Sequence, residues 1–593
     1  MRKPSTFAVA TRYPRSLRAR RGGASMPGAR RQHGAVAVLA VIWLSIAIAA
    51  LGAIDIGNLY FVRRQLQRTA DLAAMAAVQV LSTPGACTTA TTAAQQNAAS
   101  NGFAANGTTT ILSLTCGRWD TSTSTYFGTT GNPFNAVQVQ TTQTVPYFFL
   151  GPSRNVTATS TALASNIDAF SLSTGIATIN TQQSALLNAI LGGLLNTSVS
   201  LSLGDMQSLA TAHISLQNLM VALGAANMQG LLATTVSYQT LMVAMVQALQ
   251  AGGDTVNAAI LQTLAVAIPG GQNITVGDGG KSAPGLLALG LANPNAATTA
   301  TINAFDAVMV AAQIAQRSPD GTAANAPVIN VAASLAGLAN ISLQILNPPA
   351  LAVGEGGTVN GATNFRTTAR TAAVNLNLSL APLPPLYLGI ATISVLSTPV
   401  VLTLAVAPGT ATLNPVDCES TKAATQATIL VTPGIATVCL GANAACTGSV
   451  NVASVSLLAS ASLVAITLNS LGPLPLMPGT TPVTINGSSG SFDVTPPPVN
   501  SNPLGSDLST LSATLFAQLP TALSVSVLGS GILNSLLTPI LSLVATTLTP
   551  VLQGVFSLLN TLIVPTLSLL GVQVGTATLH NMSLTCGVSQ LVN

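Results

Sequence analysis

The residues best suited to chemistry are few in this chain of 593 residues and stand far apart. There are three histidines, His33, His213 and His580. A Ser-His-Asp enzyme would have to use His213 or His580, yet no Gly-x-Ser-x-Gly string supplies a nucleophile elbow. No His-Glu-x-x-His and no Cys-x-x-Cys is present, so zinc and thioredoxin-like redox chemistry lack ligands at workable spacing. Gly279-Gly280-Lys281-Ser282 ends like a phosphate-binding loop, but the glycine required five places before Gly280 is Thr275, and the segment reads as a solvated turn. The acids beyond Asp55 are scattered and form no suggestive carboxylate pair. Arg366 and Arg370 are unusual in so charge-poor a region: a helix would put them on one face, and a strand would give a local anion or carboxylate contact. The expectation is a protein without cofactor, metal or catalytic residues. An exported hydrolase using His213 or His580 is the competing class.

Composition supports that direction. Charged residues make up 6% of the chain, against about 25% in an ordinary soluble protein. Apolar runs are separated by Ser, Thr, Asn and Gly, which argues for a large buried core under a hydroxyl- and amide-rich surface rather than for a polytopic transporter. The net charge of +5 hides an asymmetry: residues 1–33 hold nine basic side chains and no acid, whereas from Asp71 onward there are seven bases and thirteen acids. With aromatics at 4% and no basic face on the bulk, nucleic acid is excluded as a partner.

Ala35 to Ile54 is a run of twenty residues without a charge, which at about 1.5 Å per residue matches a hydrocarbon core of about 30 Å. The basic residues before it predict a cytoplasmic N-terminus. A cleaved secretory signal is the alternative, but its apolar region is only about 7–15 residues long. Here the pattern also continues without Pro or Gly from Asn58 to Leu81, predicting one helix that outlasts the span. Asp55 falls at the outer boundary, where its carboxylate can reach headgroup water; Tyr60 suits the interface belt, and Arg63 and Arg64 can meet lipid phosphates. Leu59, Val62, Leu66, Thr69, Ala73, Ala76 and Val80 follow steps of three and four, a narrow seam that shrinks from leucine to alanine. The seam is open to a partner helix, and hence to an oligomer, or to the chain's own outer domain, the second being favoured.

A series of short elements then resembles a known family. Gln32-His33-Gly34, Asp55-Ile56-Gly57, Leu59-Tyr60, Arg63-Arg64-Gln65-Leu66-Gln67 and Ala70-Asp71-Leu72-Ala73-Ala74 are similar to the N-terminus of TadE/TadG-like proteins of Flp (tight adherence) pilus assembly. The likeness continues through Trp119-Asp120, Asn135 to Val139, Pro146 and Phe148-Phe149, and ends in Val156 to Ala162. The resemblance implies a single-pass protein of the bacterial inner membrane, with a periplasmic bulk and other pilus-assembly or secretion proteins as partners beside the lipid bilayer. One departure narrows it: Leu39 stands where pilins cut by prepilin peptidase carry Glu. The functional expectation is a non-enzymatic, membrane-anchored component of pilus assembly or surface adhesion; a secreted adhesin with a cleaved N-terminus is a further alternative.

The expected fold is α+β, in six segments: a basic tail (1–33), the transmembrane helix and its extension (34–82), a small α+β domain (83–165), a mainly helical region (166–327), a strand-rich region (328–500), and charge-free amphipathic helices with a terminal strand (501–593). Asp205 and Asp254 are expected to cap helices, with further helices over 206–223, 228–250 and 300–315. Val374-x-Leu376-x-Leu378-x-Leu380 is the clearest strand. Six cysteines in an exported domain suggest up to three disulfides. Cys87–Cys116 is the favoured pair. Cys418 with Cys439 or Cys446 would close a local loop that Cys586 would clip to the C-terminus. A chain begun after Leu81 is expected to be soluble.

Overall fold

The computed structural model describes residues 33–500 and 576–592, apart from 82–85, 122–124, 150, 173–180, 281, 319–327, 332–338, 360–362, 381–384, 389–390, 396–397, 435, 444–446, 458–460 and 477–478. Between 501 and 575 it describes only 517–518, 523–527, 550, 553 and 557, so the amphipathic helices expected there fall almost wholly outside the described residues. The architecture is α+β. The chain divides into two compact units, residues 1–62 with 144–156, and residues 63–143 with 157–593.

Helix α1 runs unbroken from His33–Val78, 46 residues. Helix α2 (Ala86–Ser100) buries Ala90, Ala94 and Ala98, a single i, i+4 line of small side chains. Strands β1 (Thr110–Trp119), β2 (Phe127–Gly128), β3 (Ala136–Val145) and β4 (Arg154–Ser171) follow. β1 and β3 pair antiparallel with Leu114 opposite Val139 and Cys116 opposite Val137. Gly117 is required where β2 crosses closely, because a Cβ there would strike the Gly128 carbonyl.

The 18-residue β4 organises the largest sheet. Its second half pairs with Leu351–Gly354, which continues in parallel to Gly285–Gly290 and Ile274–Gly277. The strand His580–Val592 pairs with β4 from Ser171 back to Thr161. The boundary expected at 165/166 therefore falls inside one strand. The terminal strand, expected over 572–579, runs instead over His580–Val592, with Thr576–Ala577 a separate short strand before it.

Helices α3 (Thr181–Leu195), α4 (Leu203–Ala210), α5 (Leu216–Ala222), α6 (Met228–Ala233), α7 (Tyr238–Ala251), α8 (Thr255–Thr263) and α9 (Ala304–Ala315) supply a leucine- and alanine-rich core. Asp254 caps α8, accepting from the Asn257 N–H at 3.0 Å. Asp205 is not the N-cap of α4. Ser202 is, and Asp205 returns the bond to the Ser202 N–H as the third residue of a capping box. The helices expected over 206–223 and 228–250 are each broken. His213–Ser215 leaves helix to pair with Thr301–Asn303, which also delays the expected 300–315 helix to Ala304. Thr235–Val236 pairs with Thr275–Ile274. At both breaks a tertiary strand pairing overrides a modest local preference for helix.

The period-two segment forms Ala373–Leu380 as read, flanked by Ala339–Asn347 and Val401–Val406. Leu343, Leu376, Leu404 and Val438 stand opposite one another across four strands and are all buried. An alternating sequence thus becomes a continuous apolar ladder.

Two acids and a histidine tie down the C-terminal strand. His580 holds Asp306 of α9 at 3.1 Å through Nδ1 and Asp493 at 3.0 Å through Nε2. Burial alone would lower the imidazole pKa, but the two carboxylates outweigh it and push it up to about 9. On β4, Asp168 is fully buried and neither of its oxygens makes a complete hydrogen bond. Burial pushes it up to about 7 against weaker opposing pulls from the Asn581 amide and the Ala169 backbone. For Asp168 the folded state holds its proton more tightly than the unfolded state, so stability falls as pH rises from about 4 to about 7. For His580 the contribution is full below about 6.5 and is lost as pH rises through about 9. Thermal unfolding followed across this range should show both losses, the first amounting to about 2–4 kcal/mol. Asp168→Asn should abolish the decline between pH 4 and 7 and keep the alkaline one; an unchanged acid-side slope would contradict the assignment.

Candidate membrane interface

The first half of α1 has no protein cover. From Gly34 onward it is long and apolar enough to cross a membrane, with a mean hydropathy of 2.6 over its most apolar window and none of that window buried. Val36, Leu39, Ile42, Trp43, Ile46 and Ile54 all face outward. Asp55 is the exception at 1% exposure. Its carboxylate is taken up by the turn between β3 and β4, which belongs to the same unit: Oδ1 accepts the Phe148 N–H at 2.8 Å and Oδ2 the Phe149 N–H at 3.0 Å. The expectation that Asp55 reaches headgroup water is corrected, because successive peptide N–H groups replace water as its solvent. Bonds of this charge-assisted kind contribute about 1.5–3 kcal/mol each. Sequence reasoning missed the partner since Asp55 and Phe148 lie 93 residues apart. Tyr60 and Phe61 are 66% and 61% exposed, and Arg63 and Arg64 beyond them are exposed too.

Past Val62 the helix changes character. Leu66, Ala70, Ala73, Ala74 and Ala77 are completely buried or nearly so, the small alanine side chains allowing close approach of the helix backbone to its neighbours. Thr141 on β3 donates its hydroxyl to the Leu66 carbonyl at 3.1 Å, and Gln67 donates to the Thr159 carbonyl on β4 at 3.2 Å. Of the expected seam, Val62, Leu66, Thr69 and Ala73 are buried, while Leu59, Ala76 and Val80 are half-covered. Leu66 and Ala73 are filled by the chain itself and are not presented to a second helix.

This arrangement, an uncovered apolar half-helix continuing into a half-helix packed on a small sheet, coincides with two family patterns. The TadE/G-like Flp pilus-assembly family matches residues 34–80, and the Tad-like Flp pilus-assembly family matches residues 67–162. Residues 34–162 are thus similar to TadE/G-like Flp pilus-assembly proteins. A domain of unknown function matches residues 183–313. The chain matches no curated protein and no solved structure.

The matched region is stapled internally by Cys87–Cys116, which joins α2 to β1. Cys418, whose partner the sequence left open, is bonded to Cys586 across 168 residues rather than to Cys439 or Cys446 in a local loop. Strand pairing brings the C-terminal strand to β4, and sequence distance gives no hint of it. Cys439 is disulfide-bonded as well, and Cys446 lies outside the described residues. The matched region is also tied to later strands by charge: Arg118 on β1 meets Glu355 at 2.7 Å with both side chains buried, and Arg366 reaches Asp120 at 3.6 Å. Arg370 forks onto Asp278, so each of the two arginines has a carboxylate contact. Arg366 and Arg370 line a cavity of about 340 Å³ with Asp278 and Phe365. Asp278 also accepts from the Gly280 and Gly285 N–H groups, shaping the turn that resembled a phosphate loop.

Both ring nitrogens of His580 face carboxylates, and Ser171 donates to Asp306 at 2.7 Å instead of to an imidazole. His213 stands 3.2 Å from Asp493. Among the described residues no group of three or more His, Cys, Asp or Glu could hold a metal ion.

Removing the Asp55 carboxylate strands two peptide N–H groups. In detergent-solubilised protein, Asp55→Ala should speed tryptic cleavage at Arg154 several-fold, and Asp55→Asn, which keeps one acceptor, should lie between it and the parent. Equal rates in all three proteins would show that this pairing does not hold the turn.

Proposed function

We propose that the chain is a non-enzymatic component of Flp/Tad-type pilus assembly or of a related surface adhesion apparatus, anchored in the bacterial inner membrane by α1. Its N-terminus lies in the cytoplasm, its bulk lies in the periplasm, and its partners are other pilus-assembly proteins. The observation that carries this reading is α1 itself: its uncovered apolar half falls within the TadE/G-like match, and its second half is built into the module behind it. The nine basic residues ahead of the span support the orientation. The carboxylates on both nitrogens of His580 favour this reading over a tethered hydrolase built on that histidine, since an imidazole clamped on both sides has no free position for a proton in transit. A secreted adhesin with a cleaved N-terminus would lose the span and keep the module.

Alkaline phosphatase fused to the C-terminus should be active, and the mature protein should retain residues 34–54 on N-terminal sequencing. Loss of the protein should abolish surface pili. An inactive fusion would reverse the topology, and a mature start beyond Ile56 would favour the secreted form. The position of the anchor boundary is testable separately. Because Leu66, Ala70 and Ala73 belong to the core, a chain begun at Arg63 should be soluble and folded, whereas one begun at Ser82 should aggregate. This reverses the expectation that a cut after Leu81 leaves a soluble remainder; a folded 82–593 chain would restore it.

A further inference from the structure

We propose that the turn joining β3 to β4 is a second membrane contact, with Phe148 and Phe149 seated in the interfacial layer of the bilayer that α1 crosses, on the side away from its N-terminus. The proposal rests on the reading of α1 as a membrane span. Three observations carry it, all within one compact unit of the chain.

First, Phe148 and Phe149 are 65% and 53% exposed, side by side with ring centroids 6.3 Å apart, on a turn framed by Pro146, Gly151 and Pro152. Two adjacent uncovered phenylalanines are a poor match to water and a good one to the headgroup–acyl boundary. Second, the turn is fastened at the level of Asp55, and exposed apolar side chains on α1 continue past that level through Ile56 and Tyr60 to Phe61. At about 1.5 Å per residue, the attachment point lies about 9 Å inside the end of that apolar zone. A turn held there sits beside lipid. Third, the contact is chemically prepared for low dielectric. Peptide N–H groups in lipid are costly when unpaired, and so is a carboxylate. Here the N–H groups of Phe148 and Phe149 and the charge of Asp55 satisfy one another, leaving the aromatic rings as the face of the turn. The occupant is lipid rather than a protein partner because the aromatic face is continuous with the uncovered apolar surface of the span.

The test uses the full chain with Trp119→Phe, reconstituted in phosphatidylcholine–phosphatidylglycerol vesicles, with and without lipids brominated either near the top of the acyl chain, to read the turn, or near its end, to read Trp43 at mid-span. Phe148→Trp and Phe149→Trp are each placed in a further Trp43→Phe background; Tyr387→Trp in the same background marks an exposed site in the other unit. Both turn variants should be blue-shifted and should lose emission to the shallow bromines, as Trp43 should to the deep ones, whereas Tyr387→Trp should lose none to either. Quenching of parental Trp43 without quenching at the turn would overturn the proposal while leaving the span intact, and would point to water or a protein partner. Absence of quenching at Trp43 as well would remove the span and the proposal together. Hydroxyl-radical footprinting of the unmutated chain in vesicles guards against a distorted turn: Phe148 and Phe149 should be oxidised several-fold less than Tyr387, and equal oxidation would overturn the proposal.

Discussion

The docking of the second half of α1 onto β3 and β4 is the constraint on which the rest of the structure depends. The Thr141 hydroxyl reaches the Leu66 main-chain carbonyl and Gln67 donates to the Thr159 carbonyl, while Leu66, Ala70, Ala73, Ala74 and Ala77 are buried along that half of the helix. Alanine is the residue that permits this: it adds no side-chain entropy cost, favours helix, and keeps the backbones close. A membrane-crossing helix that ended at the bilayer would leave the outer domain on a tether. Here the helix that leaves the apolar zone is the helix that enters the core.

The same economy of charge recurs at each point where the chain is fastened. Only 6% of its residues are charged, and many of the described ones are spent in buried or half-buried pairs: Asp55 on two peptide N–H groups, Arg118 on Glu355, Arg370 on Asp278, and His580 between Asp306 and Asp493. Such contacts add little net stability over apolar packing, but breaking one partner is costly, so they fix which segments meet. Three of the four join parts of the chain more than 90 residues apart, and in the fourth His580 is 87 residues from Asp493. With so few charges available, register and docking are set by them, while burial comes from alanine, leucine and valine.

What could be read from the sequence was what is local. The uncharged run from Ala35 to Ile54, the alternation through Val374 to Leu380, and Asp254 ahead of its helix are patterns of a few residues in which spacing alone dictates conformation. The series from Gln32 to Ala162 was legible as a family likeness because its elements keep their order. What was not legible depends on distant partners. The helix at Thr211 breaks because Thr301–Asn303 offers a strand. Cys418 finds Cys586 because the C-terminal strand returns to β4, and no feature near either cysteine announces it. Asp55 is legible as a boundary residue but its surroundings are not, since the turn that solvates it is encoded 93 residues later.

The central claim is that one helix serves both as anchor and as core. Hydrogen exchange along α1 in the full chain, measured in bilayers, tests it most directly. Amides from about Val36 to Val78 should exchange slowly as a continuous block, those up to Phe61 shielded by lipid and those from Leu66 onward by packing against the sheet. Slow exchange confined to the apolar run, with residues 66–78 exchanging at the rate of an isolated helix, would contradict the account.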